Sequence, residues 1–308
     1  MSPRPLKNIT VSVKQRLLNL ARERGEDFNF LLTRYVIERL LYRISESEHS
    51  HDFVLKGAML FHLGSSGLPH RPTRDIDLSG KGPPDIVKEE DIFRHICATA
   101  VEDDGVIFVK ESIQAERIRD EELQEGIRLH IDARMGSARL PVQVDVGFND
   151  AITPAPKLKR LATLLDHPAP RLLVCPWDTV IAEKFQVLVD LGIANSRMKD
   201  YFDLRYLATT LSLDGVTLTR AIKATFARRQ TPLPPATPMG LSQAFAQDQG
   251  KQTQWRAFAR RLKLSAGEDS LGEVMEKLRS FLMPPVEALI QKRPFKMKWP
   301  PGGPWSAS

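Results

Sequence analysis

Two cysteines, Cys97 and Cys175, are all that this 308-residue chain contains. That excludes a disulfide framework and a cysteine zinc cluster; both read as buried small hydrophobes in a reducing cytoplasm. No apolar run approaches bilayer-spanning length. The N-terminus, Met1 to Lys7, carries basic residues with no apolar stretch behind them, so it does not read as a secretory signal. There is no internal repeat and no single arginine-rich block. No Gly-Lys-Ser/Thr follows a glycine loop, which excludes a Walker motif, and no dinucleotide fingerprint is present.

What is present is an ordinary globular composition, 42% hydrophobic and 27% charged, with a net charge of +6. The excess positive charge is spread, with groups around 117–128, 157–160, 223–229, 260–263 and 292–298. Such a spread suits either an extended face for a polyanion or a solvated surface.

Apolar residues at helical spacing predict helices over 8–43, with a second start near Asp27, and over 57–63 and 85–102. Short strands are expected at 52–55 and 75–78, and longer alternating ones at 106–118, 126–135 and 141–148. The proline-rich stretch 151–176 reads as irregular, and helices follow at 179–191, 199–210, 216–228, 251–264 and 271–281. The expected division is an N-terminal helical segment 1–50, a catalytic core 51–165, a helical lobe 166–293 and a proline-rich tail 294–308. The tail reads as an extended or disordered end.

The chemistry concentrates in Thr73-Arg74-Asp75-Ile76-Asp77-Leu78. In a strand, Asp75 and Asp77 share one face while Ile76 and Leu78 point to the core. Two crowded carboxylates repel unless a cation relieves them, and Mg²⁺ works from one or two carboxylates plus substrate phosphates. Asp145 is the lone acid inside the apolar strand Pro141 to Phe148, so it is the first candidate for a third metal carboxylate. Asp132 is its rival, although the basic residues Arg128 and Arg134 beside it favour a surface ion pair. A third carboxylate removes or orients the proton of an attacking hydroxyl.

Lys56 and Gly57 precede this pair, and the expected helix opens at Gly57, whose missing side chain lets phosphate approach free amides. Ser65 and Ser66, within Gly64-Ser65-Ser66-Gly67, offer further donors. For Arg74, a phosphate contact and a structural salt bridge are both open. In the helical lobe, Lys184 falls near the apolar face of its helix, where a lysine finds an anion or reaches to the surface. Asp200 and Asp203 share a helical face; Asp203 either positions Lys184 or joins the catalytic group. Arg197 and Lys199 are candidate phosphate or nucleic-acid contacts.

In this order, the segments Leu55 to Leu60, Arg71 to Leu78, Gln143 to Gly147, Thr179 to Lys184 and Arg197 to Leu204 resemble the AbiEii/AbiGii nucleotidyltransferase toxin family of type IV toxin–antitoxin systems, which includes the mycobacterial MenT toxins. The resemblance covers roughly 50–210. One departure is Gly57-Ala58, where the family often has Gly-Gly; alanine stays small and keeps its amide. The resemblance implies an α+β fold, with a polymerase-beta-like nucleotidyltransferase core of mixed or antiparallel sheet and helices, followed by a helical C-terminal lobe. It implies a cytoplasmic, Mg²⁺- or Mn²⁺-dependent enzyme that uses a nucleoside triphosphate, CTP or UTP favoured. The implied acceptor is the 3′ end of tRNA, and a separately encoded antitoxin is the implied partner. Two rivals remain: a same-fold enzyme that modifies a protein hydroxyl, and a non-catalytic nucleic-acid-binding module.

Overall fold

Asn8, Asp27 and Asp85 each accept a hydrogen bond from the amide three residues on, and each starts a helix. The computed structural model describes residues 8–63, 71, 73–119, 125–262 and 270–307. The chain divides into two units, 1–149 with 157–174, and 150–156 with 175–308.

The first unit runs α1 (Ile9–Arg24), α2 (Phe28–Glu46), β1 (Val54–Lys56), α3 (Met59–Leu63), β2 (Asp75–Gly80), α4 (Ile86–Ala98), β3 (Ile107–Arg119), β4 (Glu125–Met135), β5 (Ala138–Phe148), β6 (Lys157–Arg160) and β7 (Arg171–Val174). Among the described residues, these strands form one sheet in the order β3-β4-β5-β2-β1-β7-β6. It is mixed: β2 lies parallel to β5 and β1 parallel to β7, while the other pairs are antiparallel. Ile76, Leu78, Val142, Val144, Val146, Ile127 and Leu129 alternate onto one buried face, and α2 and α4 pack on the sheet.

Helix α2 also anchors the loops. Arg43 grips both carboxylate oxygens of Asp104, at 2.8 and 3.2 Å. Glu38 accepts the Leu164 amide at 2.7 Å and Arg39 donates to the Pro168 carbonyl at 2.9 Å. These groups are buried, so each needs the partner it has.

The second unit contains α5 (Trp177–Leu191), α6 (Met198–Thr210), β8 (Leu213–Asp214), α7 (Gly215–Arg228), α8 (Gln243–Gln247), α9 (Gln249–Arg261), α10 (Leu271–Ile290), β9 (Met297–Trp299) and β10 (Ser306–Ala307). The last two strands and β8 make a small antiparallel sheet. Its core includes Phe185, Phe226, Phe245, Phe281 and Trp299. The α+β class and the helical C-terminal unit agree with the sequence reading.

Three local expectations change. The stretch 151–176 is not wholly irregular, because β6 and β7 lie in it and β7 extends the sheet beside β1. Four-residue strands gain their order from neighbours, which leaves little periodicity to read. The last long helix does not stop at Phe281 but continues through Pro284 and Pro285 to Ile290. Pro285 lacks the amide hydrogen that would reach the Phe281 carbonyl, and Trp305 Nε1 supplies that bond instead at 2.9 Å. Nor is the tail a disordered end: Trp299 is buried and donates to the Ala208 carbonyl at 2.7 Å.

Candidate active site

Four charged residues stand in register across four neighbouring strands of the first unit. Arg128 of β4 faces Asp145 of β5, Asp145 faces Asp77 of β2, and Asp77 faces Lys56 of β1. Asp75 lies two residues before Asp77, opposite Gln143. Strand alternation puts all of them on the face opposite the apolar core, and each is partly exposed.

Asp145 is held tightly. Arg128 Nε donates to one of its oxygens and Nη2 to the other, both at 2.8 Å. Gln143 Nε2 donates to the same two oxygens at 3.1 and 3.2 Å. Its hydrogen bond to Asp145 raises the pKa of Arg128, and the charge of Asp75 adds to the effect. Asp132 does pair at the surface, but with Arg139 at 2.8 Å rather than with Arg128 or Arg134. Arg128 and Gln143 therefore join the candidate site through Asp145, a pairing that the sequence reading missed. A signal was present: the two-residue turn Gly136-Ser137 sets the hairpin register, and counting outward from Met135 opposite Ala138 brings Arg128 to Asp145.

Gly57 plays a different part from the one expected. Helix α3 begins at Met59, and Gly57 sits before it with φ of +71°. A Cβ at Gly57 would lie 2.5 Å from the Asp77 carboxyl carbon and 2.7 Å from its Cβ. The space left by the missing side chain is filled by Asp77, not kept open for phosphate. Lys56 is half-buried and Arg74 exposed. Ser65 and Ser66 lie outside the described residues.

A second charged group lies inside the other unit. Lys184 Nζ on α5 meets Asp200 at 2.5 Å and Asp203 at 2.8 Å, both on α6. Arg197 Nε reaches the other Asp200 oxygen at 2.8 Å. Burial raises the pKa of Asp200, but the charges of Lys184 and Arg197 outweigh it and hold the carboxyl below its ordinary value. Asp200 and Asp203 are fully buried, so their carboxylates act on Lys184 and Arg197. Lys199, the next candidate along, is exposed.

A strand carrying two acids, Asp75 and Asp77, thus lies beside a strand carrying a third, Asp145, in register with Asp77. A family model described as nucleotidyl transferase AbiEii toxin, type IV TA system, matches residues 39–288, and the chain belongs to that family. It is thus a toxin nucleotidyltransferase, and a separate antitoxin comes with a type IV system. The crystal structure of JHP933 from Helicobacter pylori is similar over 86% of this chain and 94% of its own, at 12% identity and a TM-score of 0.46. A second H. pylori crystal structure, of a protein assigned as a nucleotidyltransferase, is similar over 86% and 97%, at 13% identity and a TM-score of 0.44. No match was found among curated proteins. Among the described residues, no helix is long and apolar enough to cross a membrane.

Proposed function

We propose that this toxin transfers a nucleotide, with CTP or UTP favoured, to the 3′ acceptor end of tRNA in the cytoplasm, blocking aminoacylation and growth. The observation that carries the reading is Asp77 in register with Asp145, with Asp75 on the same face. These oxygen donors suit a hard cation, Mg²⁺ or Mn²⁺. Asp75 and Asp77 would hold it, and Asp145 would add the acceptor positions that Arg128 and Gln143 leave, since a carboxylate offers about four. When bound, the ion supplies charge neutralisation to the triphosphate.

The acceptor hydroxyl oxygen attacks the α-phosphorus, a phosphodiester bond forms and the bond to pyrophosphate breaks. Asp145 orients the hydroxyl and takes its proton. Lys56, Arg74, Arg197 and Lys199 bind phosphate charge, with Ser65 and Ser66 as further donors. Lys184 serves the triphosphate, with Asp203 and Asp200 positioning it. A polyanionic acceptor is supported by the sheet edge, where Lys157, Lys159 and Arg160 of β6 are all exposed.

The test is incubation of purified protein with Mg²⁺, total RNA or lysate protein, and each labelled nucleoside triphosphate. A labelled tRNA-sized band that Asp77→Ala abolishes supports the proposal. Label on protein alone replaces the acceptor, and transfer that survives Asp77→Ala removes the acid pair from the chemistry.

A further inference from the structure

A separate set of ligand-type side chains lies where the turn after α2 meets α4. Glu48 and His49 come from the turn and His95 from the last turn of α4; one donor atom of each lies within 4.8 Å of the others. The His49 and His95 rings are nearly parallel, 14° apart in plane with centroids at 6.2 Å.

His49 is already oriented for coordination. Its Nδ1 lies 2.9 Å from Asp52 Oδ2. A carboxylate at that nitrogen favours the tautomer protonated there and leaves the Nε2 lone pair for another use. That Nε2 is buried and has no hydrogen-bond partner, while Glu48 Oε1 stands 3.9 Å away. A buried imidazole nitrogen with no partner, set beside a carboxylate and a second imidazole, is satisfied by a shared cation.

We propose that Glu48, His49 and His95 bind a divalent transition metal of the Zn²⁺ type, with Asp52 as the residue that orients His49. Two imidazoles and one carboxylate favour zinc over Mg²⁺, which prefers oxygen alone. Closing the ligand atoms from their present spacing to about 2.0–2.2 Å around one ion takes side-chain movement only, since Glu48 and His95 are exposed. Three protein ligands leave a fourth position for water. The ion would clip the turn that leads into β1 onto α4, and so brace the strand that carries Lys56.

Calorimetric titration of the full chain with ZnCl₂ in Mg²⁺-containing buffer tests this. Wild type is expected to bind one more equivalent of Zn²⁺ than His95→Ala, a substitution at an exposed position. Asp52→Asn is expected to weaken that equivalent about ten- to a hundredfold, the usual cost of losing a partner that orients a ligand histidine. Zn²⁺ should raise the melting temperature of wild type and not of His95→Ala, and Co²⁺ should give a visible absorption band only in wild type. Identical stoichiometry and affinity in wild type and His95→Ala would overturn the proposal, as would only weak binding indifferent to Asp52→Asn.

Discussion

The carboxyl group of Asp77 occupies the space that a side chain on Gly57 would need, its carboxyl carbon 2.5 Å from where a Cβ would stand. Gly57 also has φ of +71°, which costs an L-residue about 1–2 kcal/mol. Gly57→Ala is therefore expected to push Asp77 out of its place and reduce nucleotide transfer to the level of Asp77→Ala. Stability should fall by at least that 1–2 kcal/mol. A transfer assay beside urea unfolding checks both, and an active Gly57→Ala enzyme would refute the role given to the contact.

Arg128 places a fixed positive charge against both oxygens of Asp145. If Asp145 also serves the cation, that charge competes with it. Arg128→Ala should then lower the Mg²⁺ concentration needed for half-maximal transfer, even where the maximal rate falls because Asp145 is less well oriented. The measurement is transfer rate against Mg²⁺ concentration. An unchanged Mg²⁺ dependence would remove Asp145 from the cation site.

Lys184 neutralises two carboxylates that are fully buried. Removing one partner of a buried ion pair costs about 3–5 kcal/mol because a charge is left behind. Lys184→Ala should destabilise the protein on that scale as well as lower transfer. Combining it with Asp203→Asn should restore part of the stability and none of the activity. Activity that returns with stability would make Lys184 purely structural.

Glu89 gives a signed pH prediction. Burial raises its carboxyl from 4.5 to about 7 in the folded protein. Its contribution to stability is fully present below pH 4.5, where both states are protonated. It is lost as pH rises towards 7, because the unfolded chain gives up the proton first. Glu89→Gln mimics the protonated form, so it should stabilise by about 2–3 kcal/mol more at pH 8 than at pH 4. Denaturant melts at the two pH values, with chelator present, decide it; equal effects at both would mean that Glu89 is not strained by burial.

The C-terminal tail predicts its own test. Trp299 is 1% exposed and hydrogen-bonded to Ala208. Trp299→Ala should cost about 3–5 kcal/mol, the range for a buried large aromatic. A loss below 1 kcal/mol by urea unfolding would show that the tail is dispensable.

Much of this was legible in the sequence because it is local. The alternation Val142-Gln143-Val144-Asp145 fixed which side chains face the core, and Asp27 and Asp85 marked helix starts through their own amide contacts. The spacing of Asp75 and Asp77 placed both on one face without any knowledge of their neighbours. The order of the motifs was enough to identify the family.

Tertiary structure decided what depends on distant partners. The parallel pairing of β2 with β5 brings Asp77 beside Asp145 across 68 positions of chain, and nothing local encodes that register. The same holds for β7 beside β1, for Lys184 between two acids of another helix, and for Trp305 completing the bond that Pro285 cannot make. The physical reason is range. Side-chain alternation, caps and turns act over a few residues and are written in sequence, whereas a buried charge or an unpaired carbonyl is satisfied by whichever distant group the fold delivers.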